Sequence, residues 1–261
     1  MGGGGNPQEE ENPERMSVRY MSRFAFLIAT AVVFAAPLGA QQADTTGPIK
    51  FTGTVGLVNT AGNSNVTTVN VGDRIDYKAG AWGLTQLFNV VYGRNEGVTN
   101  TSIWGASLRG DRKVGPKLAI YALAGWDRNT FAGVDRRWEE GVGLLSHLLA
   151  QPKNVLDGEV GISFVQQLST LGVHDDFPSA RVASMYKHLF TQNAYFLQSV
   201  ELLPDLQTSK NLRFNTETGL VAPISSHIGL KISYVIKYDN LPEPGFEKTD
   251  RLLTSGVQIT Y

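Results

Sequence analysis

Residues 253–261, at the end of the chain, have the sequence L-T-S-G-V-Q-I-T-Y. Apolar and polar residues alternate along this stretch, and a period of two residues predicts a β-strand. Val257, Ile259 and the terminal Tyr261 share its apolar face. An apolar face that ends on a carboxy-terminal aromatic residue is typical of the strand that closes an outer-membrane barrel. An edge strand of a soluble protein shows the same alternation, so the other strands must distinguish the two.

The amino-terminal region predicts export from the cytoplasm. Arg19 and Arg23 precede an apolar run at 24–36, and small residues follow up to Ala40, where cleavage is expected. The run is shorter than the ~20 apolar residues that a membrane-spanning helix needs. The predicted organisation is a disordered extension at 1–15, a cleaved signal peptide at 16–40, a periplasmic lead at 41–49 and a barrel at 50–261.

Composition narrows the class of protein further. The chain has no cysteine, which rules out disulfides and thiolate metal sites. The 23 basic and 24 acidic residues give no basic surface for nucleic acid. Neither a cofactor nor a metal ion is expected. A mature chain of about 220 residues can form one all-β domain.

Twelve stretches show the two-residue alternation and are separated by turn-forming residues. We therefore predict a single antiparallel up-and-down transmembrane β-barrel of about 12 strands. The predicted strands are 50–59, 66–78, 81–94, 102–113, 118–128, 137–149, 155–167, 179–190, 194–203, 212–222, 228–238 and 250–261.

The links between the predicted strands alternate in length. Those after even-numbered strands are short, such as 79–80, whereas those after odd-numbered strands are longer, such as 95–101 and 168–178. Outer-membrane barrels have short periplasmic turns and longer external loops, so the alternation favours a membrane barrel over a soluble meander.

Strand parity predicts which charged residues face the lumen. Acidic residues prevail on strands five to seven and basic ones on strands eight to eleven, which predicts an acidic wall opposite a basic one, although charges shut inside would also pair with each other. We expect Lys237 and Asp250 to pair at the outer rim. The lumen-facing candidates are Arg74, Asp76, Arg109, Asp111, Asp127, Arg137, Glu139, Asp157, Glu159, Arg181, Lys187, Arg213, Glu217, Lys231, Lys237 and Asp250.

The carboxy-terminal strand is the expected assembly signal, carried by Val257, Ile259 and Tyr261. Expected partners are the outer-membrane bilayer of a Gram-negative bacterium, the barrel-assembly machinery through this strand, and periplasmic chaperones. A monomer is slightly favoured over an oligomer.

The four histidines offer weak support for an enzyme. Ser146 and His147 are neighbours on a strand and point to opposite faces. Ser184 and His188 are ~13 Å apart along a strand. The stretch around His174 is interpreted as a solvated acidic loop in preference to a cation site. The serines beside His227 are interpreted as turn-forming residues in preference to partners in a catalytic pair. An enzyme is therefore not predicted, and a lipid-modifying activity remains a distant alternative.

Several short pieces follow one another in order along the mature chain. They are Gly62, Asn63, Ser64, Asp127, Phe131, Gly133, Arg137, Gly141, Gly143, Leu203, Pro204, Glu217, Gly219, Leu220, 230–238, Pro242, Pro244, Gly245, Lys248, Thr249 and Asp250. Together these pieces resemble the YdiY-like family of salt-induced outer-membrane proteins, whose biochemical function is unknown. The resemblance implies a barrel and an envelope location, and no substrate or catalytic residue. Leu145 and Ser146 depart from it, where Gly and an aromatic residue are expected.

Two classes of function follow from these observations. The first is a narrow channel for small solutes or ions, linked to envelope or osmotic and salt response. The second is a closed structural barrel for envelope integrity or surface interaction. The size of the barrel does not distinguish the two functions. Side chains fill a barrel of eight strands and a barrel of sixteen leaves a water channel, and the predicted twelve strands lie between these cases. Inward glycines leave space in the lumen, so we favour the channel.

Overall fold

The computed structural model describes residues 48–60 and 66–261. The predicted extension at 1–15, the signal peptide at 16–40, nearly all of the lead at 41–49 and the loop of the first hairpin lie outside these residues. No helix within the described ranges is long and apolar enough to span a membrane.

Twelve β-strands account for most of the described chain. Each has the two-residue alternation seen in the sequence, and one short 3-10 turn, Thr130–Ala132, interrupts them. The strands are β1 (Ile49–Thr60), β2 (Val66–Ala79), β3 (Trp82–Asn95), β4 (Val98–Lys113), β5 (Leu118–Asn129), β6 (Val134–Ala150), β7 (Asn154–Ser169), β8 (His174–Leu189), β9 (Tyr195–Pro204), β10 (Leu212–Pro223), β11 (Ile228–Asp239) and β12 (Thr249–Thr260).

The strands form one closed antiparallel barrel in which each strand pairs with its neighbours in sequence and β12 pairs with β1. This confirms the predicted up-and-down barrel. The ladder between β1 and β12 is the shortest that the described residues form, with four paired positions that include Val55 opposite Val257. Tyr261 extends it, since its N–H donates to Phe51 at 2.9 Å and its carbonyl accepts from Phe51 at 2.8 Å.

The links fall at two ends of the barrel. We call the end where β1 begins, β12 ends and the links after even-numbered strands lie the inner rim, and the opposite end the outer rim. The predicted contrast in link length is mostly absent. At the outer rim 96–97 is as short as 80–81 at the inner rim, and of the described outer links only 205–211 and 240–248 exceed the longest inner link, 190–194.

The reason is that the outer hairpins remain β-ladders where the sequence predicted loops. The stretch 95–101 belongs largely to β3 and β4, and 168–178 largely to β7 and β8. Strand β6 has 17 residues and β7 has 16, whereas a tilted strand needs about 9–11 to cross a bilayer. The polar residues from which loops were predicted thus belong to β-ladders, and these ladders are longer than the thickness of a membrane.

The two faces of the sheet differ sharply in chemistry. Apolar side chains cover the outside of the barrel, whereas polar and charged ones face inward together with a small apolar cluster. That inner cluster lies toward the outer rim and comprises Ile103, Val134, Val165, Phe177 and Leu203, all 5 % exposed or less. Exposed apolar residues of the outside include Leu84, Val142, Ile162, Leu220, Ile232 and Leu253.

Candidate functional site

Two arginines hold one carboxylate at mid-height in the lumen. Glu159 on β7 accepts hydrogen bonds from Arg109 Nη1 at 2.8 and 2.9 Å and another from Arg181 Nη1. Arg109 lies on β4, so this contact crosses the lumen past two intervening strands. Arg181 Nε on β8 also donates to Glu201 on β9 at 2.8 Å. These four residues, the central network, connect strands of one half of the barrel through its interior.

Tyr121 on β5 fills the space beside the central network. Its ring centroid lies 4.2 Å from the guanidinium carbon of Arg109, and its hydroxyl accepts from Arg181 Nη1 at 3.0 Å. The ring fits because the neighbouring strands have glycine at 143 and 161. A Cβ atom there would lie 2.5 and 2.6 Å from the Tyr121 hydroxyl oxygen. Strand glycines thus form the seat for this tyrosine.

Most of the other predicted lumen residues also take part in ion pairs. Each pair lies on the inward face, where the two opposite charges compensate one another. The pairs join Arg74 and Asp76 at 2.7 Å, Arg109 and Asp111 at 2.8 Å, Arg137 and Asp127 at 3.9 Å, Arg213 and Glu139 at 3.6 Å, and Lys231 and Glu217 at 3.0 Å.

The remaining predicted lumen residues have other partners. Asp157 lies 2.7 Å from His147 Nδ1, and Lys187 Nζ lies 4.0 Å from the ring centroid of Tyr195. Lys237 and Asp250 are opposite each other in the ladder between β11 and β12, but among the described residues no ion pair joins them, so the predicted pair is not formed. Asp250 instead accepts a hydrogen bond from Asn129 Nδ2 at 3.0 Å, across the lumen on β5.

Charges of opposite sign interrupt both of the predicted walls, which stay a prediction. Arg137 on β6 lies within the predicted acidic wall, and Glu201 and Glu217 on β9 and β10 lie within the predicted basic one. Glu201 and Tyr121 were not predicted as lumen residues, and His147 was considered only as a catalytic candidate. Glu201 has the inward parity of its strand, so the same parity rule could have found it.

The link 240–248, which we call the outer loop, crosses the outer rim. Gln167 Nε2 on β7 donates to Glu243 Oε1 at 3.4 Å. A Cβ atom on Gly133, in the link between β5 and β6, would lie 2.8 Å from Glu243 Cβ and 2.9 Å from Phe246 Cδ2. The loop starts from β11 and β12, on the other side of the barrel, so it covers the mouth above the apolar cluster.

The half of the lumen along β2 and β3 remains accessible to water. The Arg74 side chain is 43 % exposed. Leu87 is opposite Arg74 in the ladder and therefore on the same inward face, and it is 39 % exposed. Asn89, one inward position further toward the outer rim, is also exposed. A space wide enough for water thus runs beside the central network.

The other histidines lie outside this interior. His188 Nδ1 is 2.8 Å from Asn154 Oδ1 on the outward face. His227 Nδ1 is 2.9 Å from Ser226 Oγ in an exposed inner-rim turn, and its ring stacks on Tyr261 at 5.3 Å. Among the described residues, no group of three or more acidic or histidine side chains is arranged to hold a metal ion.

Comparison with known proteins places the chain in a family. A family described as "Protein of unknown function, DUF481" matches residues 53–261, which is nearly the whole barrel. The chain belongs to the DUF481 family. The resemblance to YdiY-like proteins is consistent with this membership. No match was found among curated protein sequences.

Solved structures similar to this DUF481 barrel share little sequence with it. The NanC porin is 9 % identical with a TM-score of 0.47, over 81 % of this chain and 97 % of that one. The translocator domain of the autotransporter NalP from Neisseria meningitidis is 12 % identical with a TM-score of 0.45, over 95 % and 97 %. An anion-selective porin from Comamonas acidovorans is 9 % identical with a TM-score of 0.39, over 82 % and 98 %.

Proposed function

We propose that this DUF481 barrel resides in the Gram-negative outer membrane and provides a narrow, loop-covered passage for small polar solutes or ions. Placement in a membrane is supported by the closed ladder, which pairs the backbone groups of the strands internally, as a bilayer requires. It is supported equally by the apolar outside and the charged interior. A soluble barrel would gain nothing from leaving so many large apolar side chains exposed.

The main observation that supports an open passage is the exposure of Leu87 on the inward face. A leucine in a packed interior would be buried, as Val165 and Phe177 are. Its exposure, with that of Arg74 beside it, reflects open space at mid-height. The central network occupies the other half of the lumen and restricts the passage to one side.

The charges of the interior indicate what could pass. Because acidic and basic groups are interleaved and mostly paired, the passage has polar walls and little net field. Such a lining suits small polar solutes or ions, with weak preference for charge. A link to osmotic or salt response is part of the proposal through the YdiY-like resemblance alone, and comparing expression of the gene at low and high salt tests it.

A second function, a closed structural barrel, is favoured by the contacts that cross the lumen. Glu243 reaches the opposite side of the outer rim, and Asn129 bonds to Asp250 beneath it. If the outer loop never opens, these contacts brace the barrel and nothing passes.

Planar-bilayer recordings of the refolded protein separate the two functions. We expect a small conductance in the wild type, a larger one after replacement of residues 241–247 by a short Gly-Ser link, and a reduced one in Leu87→Trp. Leu84→Trp is the matched control, because Leu84 lies on the outward face of the same strand. If neither the wild type nor the loop-shortened variant conducts although both fold, the passage is refuted and the closed barrel takes its place.

A further inference from the structure

A groove on the outside of the barrel crosses β3 to β6 near the inner rim. It encloses about 510 Å³ and is lined mainly by apolar groups. It is separate from the lumen, because its larger side chains belong to the outward face of each strand. The groove is lined by Trp82, Gly110, Arg112, Ile120, Val142 and Leu144, with shorter contributions from Tyr121, Ala122 and Gly143.

The strand register explains why a groove forms here. Gly110 lies opposite Leu84 on one side and Ala122 on the other, and Ala122 lies opposite Val142. Two small residues therefore separate two larger ones along a row across the sheet. A Cβ atom on Gly110 would meet no atom within 4 Å, so the space above it is open. Leu108, 50 % exposed, bounds the groove toward the middle of the barrel.

A single cation lies at the inner-rim end of the groove. The guanidinium carbon of Arg112 is 5.2 Å from the ring centroid of Trp82. In the parts of the chain that the structure describes, Arg112 has no carboxylate within ion-pair distance, unlike the lumen arginines. Its neighbours in the row are Trp82 and Ile120, both apolar and exposed. An unpaired arginine at the end of an apolar groove is complementary to a molecule with an anionic head and an apolar tail.

We propose that this groove binds an anionic glycerophospholipid of the inner leaflet, with one acyl chain over Gly110 and Ala122 and the phosphate at Arg112. The proposal rests on the outer-membrane placement above, and not on whether the lumen conducts. Arginine binds phosphate through paired N–H donors, and tryptophan favours the headgroup region of a bilayer. Gly110 and Ala122 lie farther from the inner rim than Arg112, on the side toward which an acyl chain would extend from a headgroup at Arg112.

Fluorescence quenching of Trp82 by brominated lipids tests the site. In a variant with Trp104, Trp126 and Trp138 changed to Phe, only Trp82 reports. We expect brominated phosphatidylglycerol to compete for the site about fivefold better than brominated phosphatidylcholine, the advantage of one basic residue at a membrane surface. Arg112→Gln should abolish that advantage. Gly110→Leu, whose Cβ atom would meet no atom within 4 Å and whose side chain would occupy the groove, should weaken quenching by both lipids.

Ala106→Leu is the matched control for Gly110→Leu. Ala106 is on the outward face of the same strand, outside the groove, so the change should leave quenching of Trp82 unaltered. Equal competition by the two lipids in the Trp82-only protein, or an unchanged preference in Arg112→Gln, overturns the lipid site.

The same vesicles also test the membrane placement, independently of the lipid site. Quenching of the four tryptophans of the wild type by brominated phosphatidylcholine reports insertion, so absent quenching refutes the placement itself. Native mass spectrometry of the full chain in a mild detergent provides a second measurement if the Trp82-only variant does not fold. We expect the wild type and Ala106→Leu to retain phospholipid, and Arg112→Gln and Gly110→Leu to lose it; retention by all four contradicts the proposal.

Discussion

Replacing Glu159 by glutamine should destabilise the barrel more than the loss of any exposed charge. The Glu159 side chain is 13 % exposed and accepts hydrogen bonds from Arg109 and Arg181, so the change leaves two confined guanidinium groups without their shared carboxylate. Removing one partner of a buried ion pair typically costs 3–5 kcal/mol. Arg109 keeps Asp111 and Arg181 keeps Glu201, each at 2.8 Å, which places the expected loss at the lower end, about 3 kcal/mol.

The assay is equilibrium unfolding of the protein in lipid vesicles by denaturant, followed by tryptophan fluorescence. Glu247→Gln, in the exposed part of the outer loop, removes the same charge and should change the free energy of unfolding by less than about 0.5 kcal/mol. A double-mutant cycle with Arg181→Gln should give a positive coupling energy between the two residues. A loss below about 1 kcal/mol for Glu159→Gln would show that lumen water screens the network, and would refute the reasoning.

Three further predictions concern the closing strand, the glycine seat and the outer loop. Deleting Tyr261 removes two hydrogen bonds to Phe51 and should lower the heat-resistant folded band on a gel; unchanged folding and insertion would contradict its role as an assembly signal. Gly161→Ala should lower the free energy of unfolding by about 2 kcal/mol, because its Cβ atom would clash with the Tyr121 hydroxyl and the Val142 carbonyl oxygen, whereas Gly110→Ala should cost much less, and equal effects would count against the seat. Asp250→Ala should speed proteolysis within the outer loop, and an unchanged cleavage rate would show that other contacts hold the loop down.

Strand parity was enough to predict the barrel and to assign many of the charged residues of its interior to the inward face. Parity depends only on the two-residue period of a strand, so Arg109, Glu159 and Arg181 could be assigned to one face from sequence alone. Their contacts could not be predicted in the same way. Arg109 and Glu159 are 50 residues apart, and their meeting depends on the register of three successive ladders and on the closure of the barrel.

The outer rim departs from the sequence prediction for a different reason. Stretches such as 168–178, which contains Gly172, two aspartates and Pro178, have the composition of loops. Most of this stretch is nevertheless paired in the ladder between β7 and β8, because the adjoining strands already hold it in register. The outer loop was predicted as a loop, yet its path across the mouth depends on Gly133, which lies more than 100 residues earlier. Composition describes a segment in isolation, whereas both outcomes depend on its neighbours.

The short ladder between β1 and β12 has a mechanical consequence. Every other junction of the barrel joins strands connected by a link, whereas this one is held by four paired positions and the Phe51–Tyr261 hydrogen bonds. A barrel is expected to open first at the junction with the fewest hydrogen bonds between strands, and among the described residues that is the junction of β1 and β12. Local opening should therefore begin at this seam, where amide hydrogens would exchange with solvent faster than those of the long hairpins. The junction of β1 and β12 is also where a molecule could leave the interior sideways into the bilayer.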